Sequence, residues 1–180
     1  MSELDPKELR RELLLEQGIN AQLDRLVGYA TQTALLLPNS RMKTSQLRNL
    51  LNVSLDSGSV EVTVNFIRYQ IAREGNAWGT AKDSFGHTVI ADIRERIAQL
   101  TQAALDKAKE LERRNPGDVL LDFTDKQAEV YVRLVQLYLG YLQRVFYAYD
   151  KAQDKRSAFE QMNEIVKAAL SKQREATHAG

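Results

Sequence analysis

TDKQAEVYVRLVQLYLGYLQRVFYAYDKA, residues 124–152, decides the fold. Tyr131, Val135, Tyr138, Leu142, Val145 and Tyr149 recur three and four positions apart and make one apolar stripe, while further apolar groups occupy other sides. A helix that is apolar on more than one side must be covered by several neighbours. Arg133, Gln136, Gln143 and Arg144 interrupt the stretch from Val130 to Tyr149, so it reads as a buried helix rather than a membrane span. Thr124 followed three residues later by Gln127 reads as a capping box that opens this helix, which runs from Asp125 to Ala152. The expected fold is all-α: a single-domain bundle of five to seven helices around a central, long, aromatic-rich helix.

Working outward, Asp5-Pro6-Lys7-Glu8 supplies an N-cap, a proline at the first helical position and a glutamate at N3, starting a helix that stops near Gly18. A second helix follows from Ile19 to about Leu36 and ends at Pro38-Asn39. Thr44 caps a third, Ser45 to about Leu55, with Leu47, Leu50, Leu51 and Ser54 on one face and Arg48 off it. Asp56-Ser57-Gly58-Ser59 is a turn. Val60, Val62, Val64 and Phe66 alternate as in a strand, yet Val64, Ile67 and Ile71 also fit a helix. With no partner strand elsewhere, Val60 to Glu74 is taken as helix. Gly75 to Gly86 reads as a loop, and a long helix follows from His87 to Arg114, stopped by Asn115-Pro116-Gly117. A weakly amphipathic helix from Asp154 to about Thr177 closes the chain. There is no internal repeat and no low-complexity tract. The expected organisation is an N-terminal helical extension over residues 1–42, a core bundle over 43–152 and a C-terminal helix and tail over 153–180.

The 180 residues suffice for one domain, and the absence of cysteine excludes disulfides and thiolate metal sites. With no apolar run at its start, the chain is expected to be a soluble, cytoplasmic protein without a secretory signal or a membrane role. A net charge of +1 says nothing about partners, but its distribution does. No acidic residue lies between Arg25 and Leu55, a stretch that carries Arg41, Lys43 and Arg48. From Arg25 to Arg73 the bases also include Arg68, against only Asp56 and Glu61, and the compensating acid sits mainly in Met1 to Asp24. Unopposed positive charge with neighbouring Thr44 and Ser45 hydroxyls suits a phosphate backbone.

Catalytic chemistry finds little footing. His87 and His178 stand alone, neither at metal-ligand spacing from another histidine or a carboxylate, so neither metal nor cofactor is expected. No phosphate-cradling glycine loop, nucleophile elbow or dinucleotide fingerprint is present. Asp92 with Glu95, and Glu110 with Glu112, are the conceivable acid pairs, and on long charged helices such residues read as solvated. The tyrosines from Tyr131 to Tyr149 read as core rather than base-stacking platforms. Trp78, in a glycine-flanked loop beside Lys82, leaves core anchoring, partner contact and nucleic-acid contact equally open.

Thr44-Ser45-Gln46-Leu47-Arg48-Asn49 resembles the opening signature of the small subunit of Csm-type, type III CRISPR effector complexes. Tyr69-Gln70-Ile71-Ala72-Arg73 resembles that family's tyrosine-to-arginine stretch, and Tyr147-Ala148-Tyr149-Asp150-Lys151 its closing segment. The similarity spans about Lys43 to Ala152. It implies a non-catalytic antiviral-defence subunit that stacks in copies along the guide RNA and its paired target RNA. Its protein partners would be copies of itself, the complex's backbone subunits and its large signalling subunit. Carried over by position, Lys43 and Arg48 lead the expected RNA contacts, followed by Arg73, Arg41, Arg68 and Lys82. The longer termini depart from that family. Two other classes remain open: a helical adaptor whose charged faces serve only proteins, and a small hydrolase using a carboxylate pair.

Overall fold

The computed structural model describes residues 5–178, and among these every regular element is helical. Helix α1, Pro6–Asn20, opens on the Asp5 carboxylate, which accepts from the Lys7 backbone N–H at 3.0 Å. It does not stop at Gly18. Gly18 is buried where α1 meets α7 (Ala98–Arg114), and a Cβ there would lie 2.2 Å from the Ala104 carbonyl oxygen. The glycine is a point of close helix approach rather than a terminator. The break falls at Ala21 and Gln22, and α2 follows as Leu23–Ala34.

Helix α3, Thr44–Ser57, is capped by Lys43 rather than by Thr44, with the Gln46 side-chain oxygen accepting from the Lys43 N–H at 2.8 Å. Gly58, at φ 56°, ends it. Helix α4, Val60–Arg73, starts at Ser59, whose hydroxyl accepts from the Val62 N–H at 3.3 Å. Helical spacing prevails over the alternating valines: Val60, Val64 and Ile67 are buried while Val62 is exposed.

The expected Gly75–Gly86 loop contains a single-turn helix α5, Gly75–Trp78, and helix α6, Phe85–Ala91, already begins within it. A π-helical segment, Asp92–Ile97, joins α6 to α7 without a break. Trp78 is fully buried with its ring 5.7 Å from that of Phe85, so of its three open roles the structure gives it the core. Helix α8 is Gln127–Lys151 and α9 is Lys155–His178. The Thr124–Gln127 capping box does not form. Thr124 begins a 3-10 turn, held by Asp122, which accepts from the Thr124 N–H at 3.0 Å and its hydroxyl at 2.7 Å. Taking α6, the π segment and α7 as one rod, the described residues form eight helical pieces, one beyond the expected range. The extra piece is α5, a turn too short to show a period.

Helix α8 packs against α2, α3, α7 and α9, burying Val130, Leu134, Val135, Tyr138, Leu139, Leu142 and Phe146. Helix α1 lies on α7, α2 on α9, and α3 on α4. One hydrophobic cluster runs from Leu15 to Met162. Among the described residues, no helix is long and apolar enough to cross a membrane.

Gly18→Ala tests the α1–α7 approach by its sign. In an open helix this change stabilises by about 1 kcal/mol. Here it is expected to destabilise by about 1–2 kcal/mol, since backbone must shift to admit the methyl. Urea denaturation measures the difference.

Candidate nucleic-acid interface

Charge on this chain is sorted by the first helix. The acids of α1 meet the turn before α8 and α8 itself: Glu12 meets Lys126 at 2.6 Å, Glu16 meets Arg133 at 2.6 Å, and Glu8 reaches Lys126 at 3.6 Å. Lys126 also meets Glu129 at 3.0 Å, and these carboxylates hold its ammonium well above the ordinary lysine range. The carboxylates that balance the chain overall are therefore engaged away from residues 41–48.

Those residues form the wall of a groove. Residues 41–43 form an irregular link into α3, in which Lys43 itself is extended. Met42 is buried, while Arg41 and Lys43 on either side of it are exposed. The preceding turn is fixed by Ser40, whose hydroxyl donates to the Leu37 carbonyl at 2.8 Å and accepts from the Met42 N–H at 3.1 Å. Opposite stands the α4–α5 junction, where Trp78 anchors the short helix. Arg41, Lys43, Gln46, Arg73, Glu74, Asn76 and Ala77 together line an open groove of about 470 Å³.

Three expected contacts, Arg41, Lys43 and Arg73, thus converge. Arg73 lies beside Tyr69, its guanidinium 5.9 Å from the ring centroid and donating to the hydroxyl at 3.3 Å. Arg48 is exposed but outside the lining. Two helical residues differ by about 200° in direction, so Gln46 and Arg48 face opposite ways on α3. Arg48 shares its side of α3 with Leu51 and Leu55, which line a separate trough of about 430 Å³ against Arg133, Gln136, Leu137, Gly140, Gln143 and Arg144 of α8. Arg68 is exposed on α4 and acts electrostatically on Glu61, while Lys82 lies on the exposed segment between α5 and α6. Arg25 is half-buried against Tyr29, away from the groove. Among the described residues, no carboxylate forms an ion pair with Arg41, Lys43, Arg48 or Lys82.

Sequence reading missed two partners. Among the described residues Glu74 is the one carboxylate in the groove lining, and Tyr69 offers a half-exposed ring beside Arg73. Tyr69 carried a signal, since a tyrosine one turn before an arginine shares its helix face. Glu74 carried none, because its place depends on how α3 and α4 pack.

One member of each acid pair is buried. Asp92 is not solvated but buried: one carboxylate oxygen accepts from the Thr33 hydroxyl at 2.5 Å and the Tyr138 hydroxyl at 2.6 Å, and the other meets Arg96 at 3.1 Å. Arg96 stacks on the Tyr29 ring at 4.8 Å. Burial raises the Asp92 carboxyl above its ordinary range, opposed by these donors, and burial with the nearby Asp92 charge pushes the Tyr138 phenol well up. Glu95 is exposed and does not join it. Glu112 is also buried rather than solvated, paired with Arg10 at 2.6 Å and accepting from the Leu121 N–H at 3.3 Å. Its neighbour Glu110 pairs with Lys107 at 3.0 Å and with Arg114. Among the described residues, no group of three or more histidines and carboxylates is placed to hold a metal ion.

No protein-family model matches the chain, and neither a curated protein nor a solved structure matches it significantly.

Asp92 gives a pH test. A carboxyl raised above about 4 holds a proton in the folded chain that the unfolded chain has released. Stability contributed by Asp92 is thus greatest below that interval and is lost as pH climbs through it. The advantage of the wild type over Asp92→Asn is expected to shrink from pH 4 toward neutrality in urea titrations at successive pH.

Proposed function

We propose that this chain is a non-catalytic RNA-binding subunit that holds the sugar-phosphate backbone through its basic groove without reading bases. One observation carries this reading: Arg41, Lys43 and Arg73 converge on an open groove whose lining, among the described residues, holds a single carboxylate, Glu74. Guanidinium and ammonium groups in such a concavity attract a polyanion and position it by charge. Gln46 and Asn76 add amide donors, and Tyr69 adds an aromatic face at the Arg73 side. The motif from Thr44 to Asn49, which opens α3 at this groove, is the one that resembles the small subunit of type III CRISPR effector complexes. On that resemblance the RNA is a guide and its paired target in the cytoplasm, and the protein partners are further copies, backbone subunits and the large signalling subunit. The proposed architecture is a single helical bundle built round the aromatic-rich α8, with Arg68 and Lys82 as further contacts outside the groove and Arg48 as a separate one on the opposite side of α3.

A second reading is favoured by the trough between α3 and α8. Leu51, Leu55 and Leu137 with Arg133 and Arg144 form a surface of the kind that receives a protein helix. A helical adaptor using only this face would not bind RNA.

Salt dependence separates the two. With phosphate contacts, log affinity for single-stranded RNA falls against log salt by about 0.7 per contact. Changing Lys43 and Arg73 together to alanine is expected to weaken binding at least tenfold at about 50 mM salt and to flatten the slope by about 1.4. Fluorescence anisotropy with a labelled oligouridylate reads both. Unchanged affinity and slope in a variant of native helicity would remove the groove from the assignment.

A further inference from the structure

We infer that Glu74 is a built-in competitor of the incoming phosphate: its carboxylate takes the anion position in the groove and is displaced when an RNA backbone enters. This rests on the phosphate-binding reading above and extends it to how that groove is regulated. Glu74 receives the Gln46 side-chain amide as a hydrogen-bond donor, and the Arg73 Nε lies 3.8 Å from its other oxygen. An amide N–H and a guanidinium N–H are the donors that a phosphate oxygen would take. The two anions compete for one set of partners.

The main chain holds Glu74 in place while its side chain stays partly open to solvent. Its N–H donates to the Gln70 carbonyl at 2.7 Å, and its own carbonyl accepts from Ala77 at 2.9 Å and Trp78 at 3.1 Å. Buried Trp78 therefore fixes the residue's backbone at the α4–α5 junction. The side chain is 39% exposed and has solvent to rotate into. Gln46 keeps its other bond, from its side-chain oxygen to the Lys43 N–H, whether or not Glu74 is present, so release of the carboxylate leaves α3 capped.

A tethered competitor changes what the groove selects. One free phosphate must displace Glu74 for the gain of a single contact, whereas a polymer offsets that loss with contacts at Arg41 and Lys43 as well. The groove therefore favours a continuous polyanion over a mononucleotide.

The test uses the full chain and a labelled oligouridylate of about ten nucleotides, with uridine monophosphate as competitor. At about 50 mM salt, Glu74→Gln is expected to bind the oligomer about fivefold more tightly, with the gain fading by about 200 mM as screening sets in. Uridine monophosphate should compete measurably with the variant and negligibly with the wild type. Glu74→Ala, which also removes the carboxylate, should move affinity the same way. Glu110→Gln, which makes the same change in net charge outside the groove, should leave affinity unchanged. No gain in either Glu74 variant, or an equal gain at Glu110→Gln, overturns the inference. If Lys43→Ala with Arg73→Ala still weakens binding, the phosphate-binding reading survives that result; if the wild type binds no RNA, both fall.

Discussion

A buried carboxylate sets how the long helices meet. Asp92 stands on the π segment and draws one hydroxyl from α2, Thr33, and one from α8, Tyr138, while Arg96 from its own segment balances the charge. The two hydroxyl donors come from different helices, so sliding either by a residue would strip the buried carboxyl of a hydrogen-bond partner, an expensive loss. Hydrophobic contacts alone tolerate such slips, because one leucine serves much like another. The polar tie thus gives α2, α8 and the α6–α7 rod one register, and that register sets where α3 and α4 come to rest on them.

From that frame follows a division of charge that no net value reveals. Helix α1 delivers Glu12 to Lys126 and Glu16 to Arg133, and its own Arg10 to Glu112 of α7, while Arg41 and Lys43 are left facing Arg73 across open space. The same near-neutral chain therefore has one end knitted by ion pairs and another with cations in excess. Met42 anchors the cationic segment, its side chain buried between the exposed Arg41 and Lys43.

Much of this was legible beforehand. Helical periods of three and four placed α3, α4, α7 and α8, and the acid-free run from residue 26 to residue 54 pointed at the groove. What escaped was whatever depends on elements meeting. Gly18 looks like a stop in one dimension and is a contact in three, because only the proximity of Ala104 distinguishes the two. Asp92 and Glu112 look solvated on a charged helix until Thr33, Tyr138 and Arg10 arrive from elsewhere. Arg48 follows Lys43 closely in sequence, yet a helix turns it from the groove toward the α8 trough. The short α5 left no periodic trace, though its tryptophan positions a whole wall of the groove.

Helix α1 also shields the rest of the surface from unwanted attraction. Because it is seated through the bare backbone at Gly18, it carries Glu12 and Glu16 to Lys126 and Arg133 as a rigid unit. A chain trimmed before α2 would leave Arg133 without Glu16 and Lys126 with Glu129 alone, so positive charge that the intact molecule balances would stand unopposed on a face remote in sequence from the groove. Shortened forms would consequently present more unbalanced positive charge than the intact molecule.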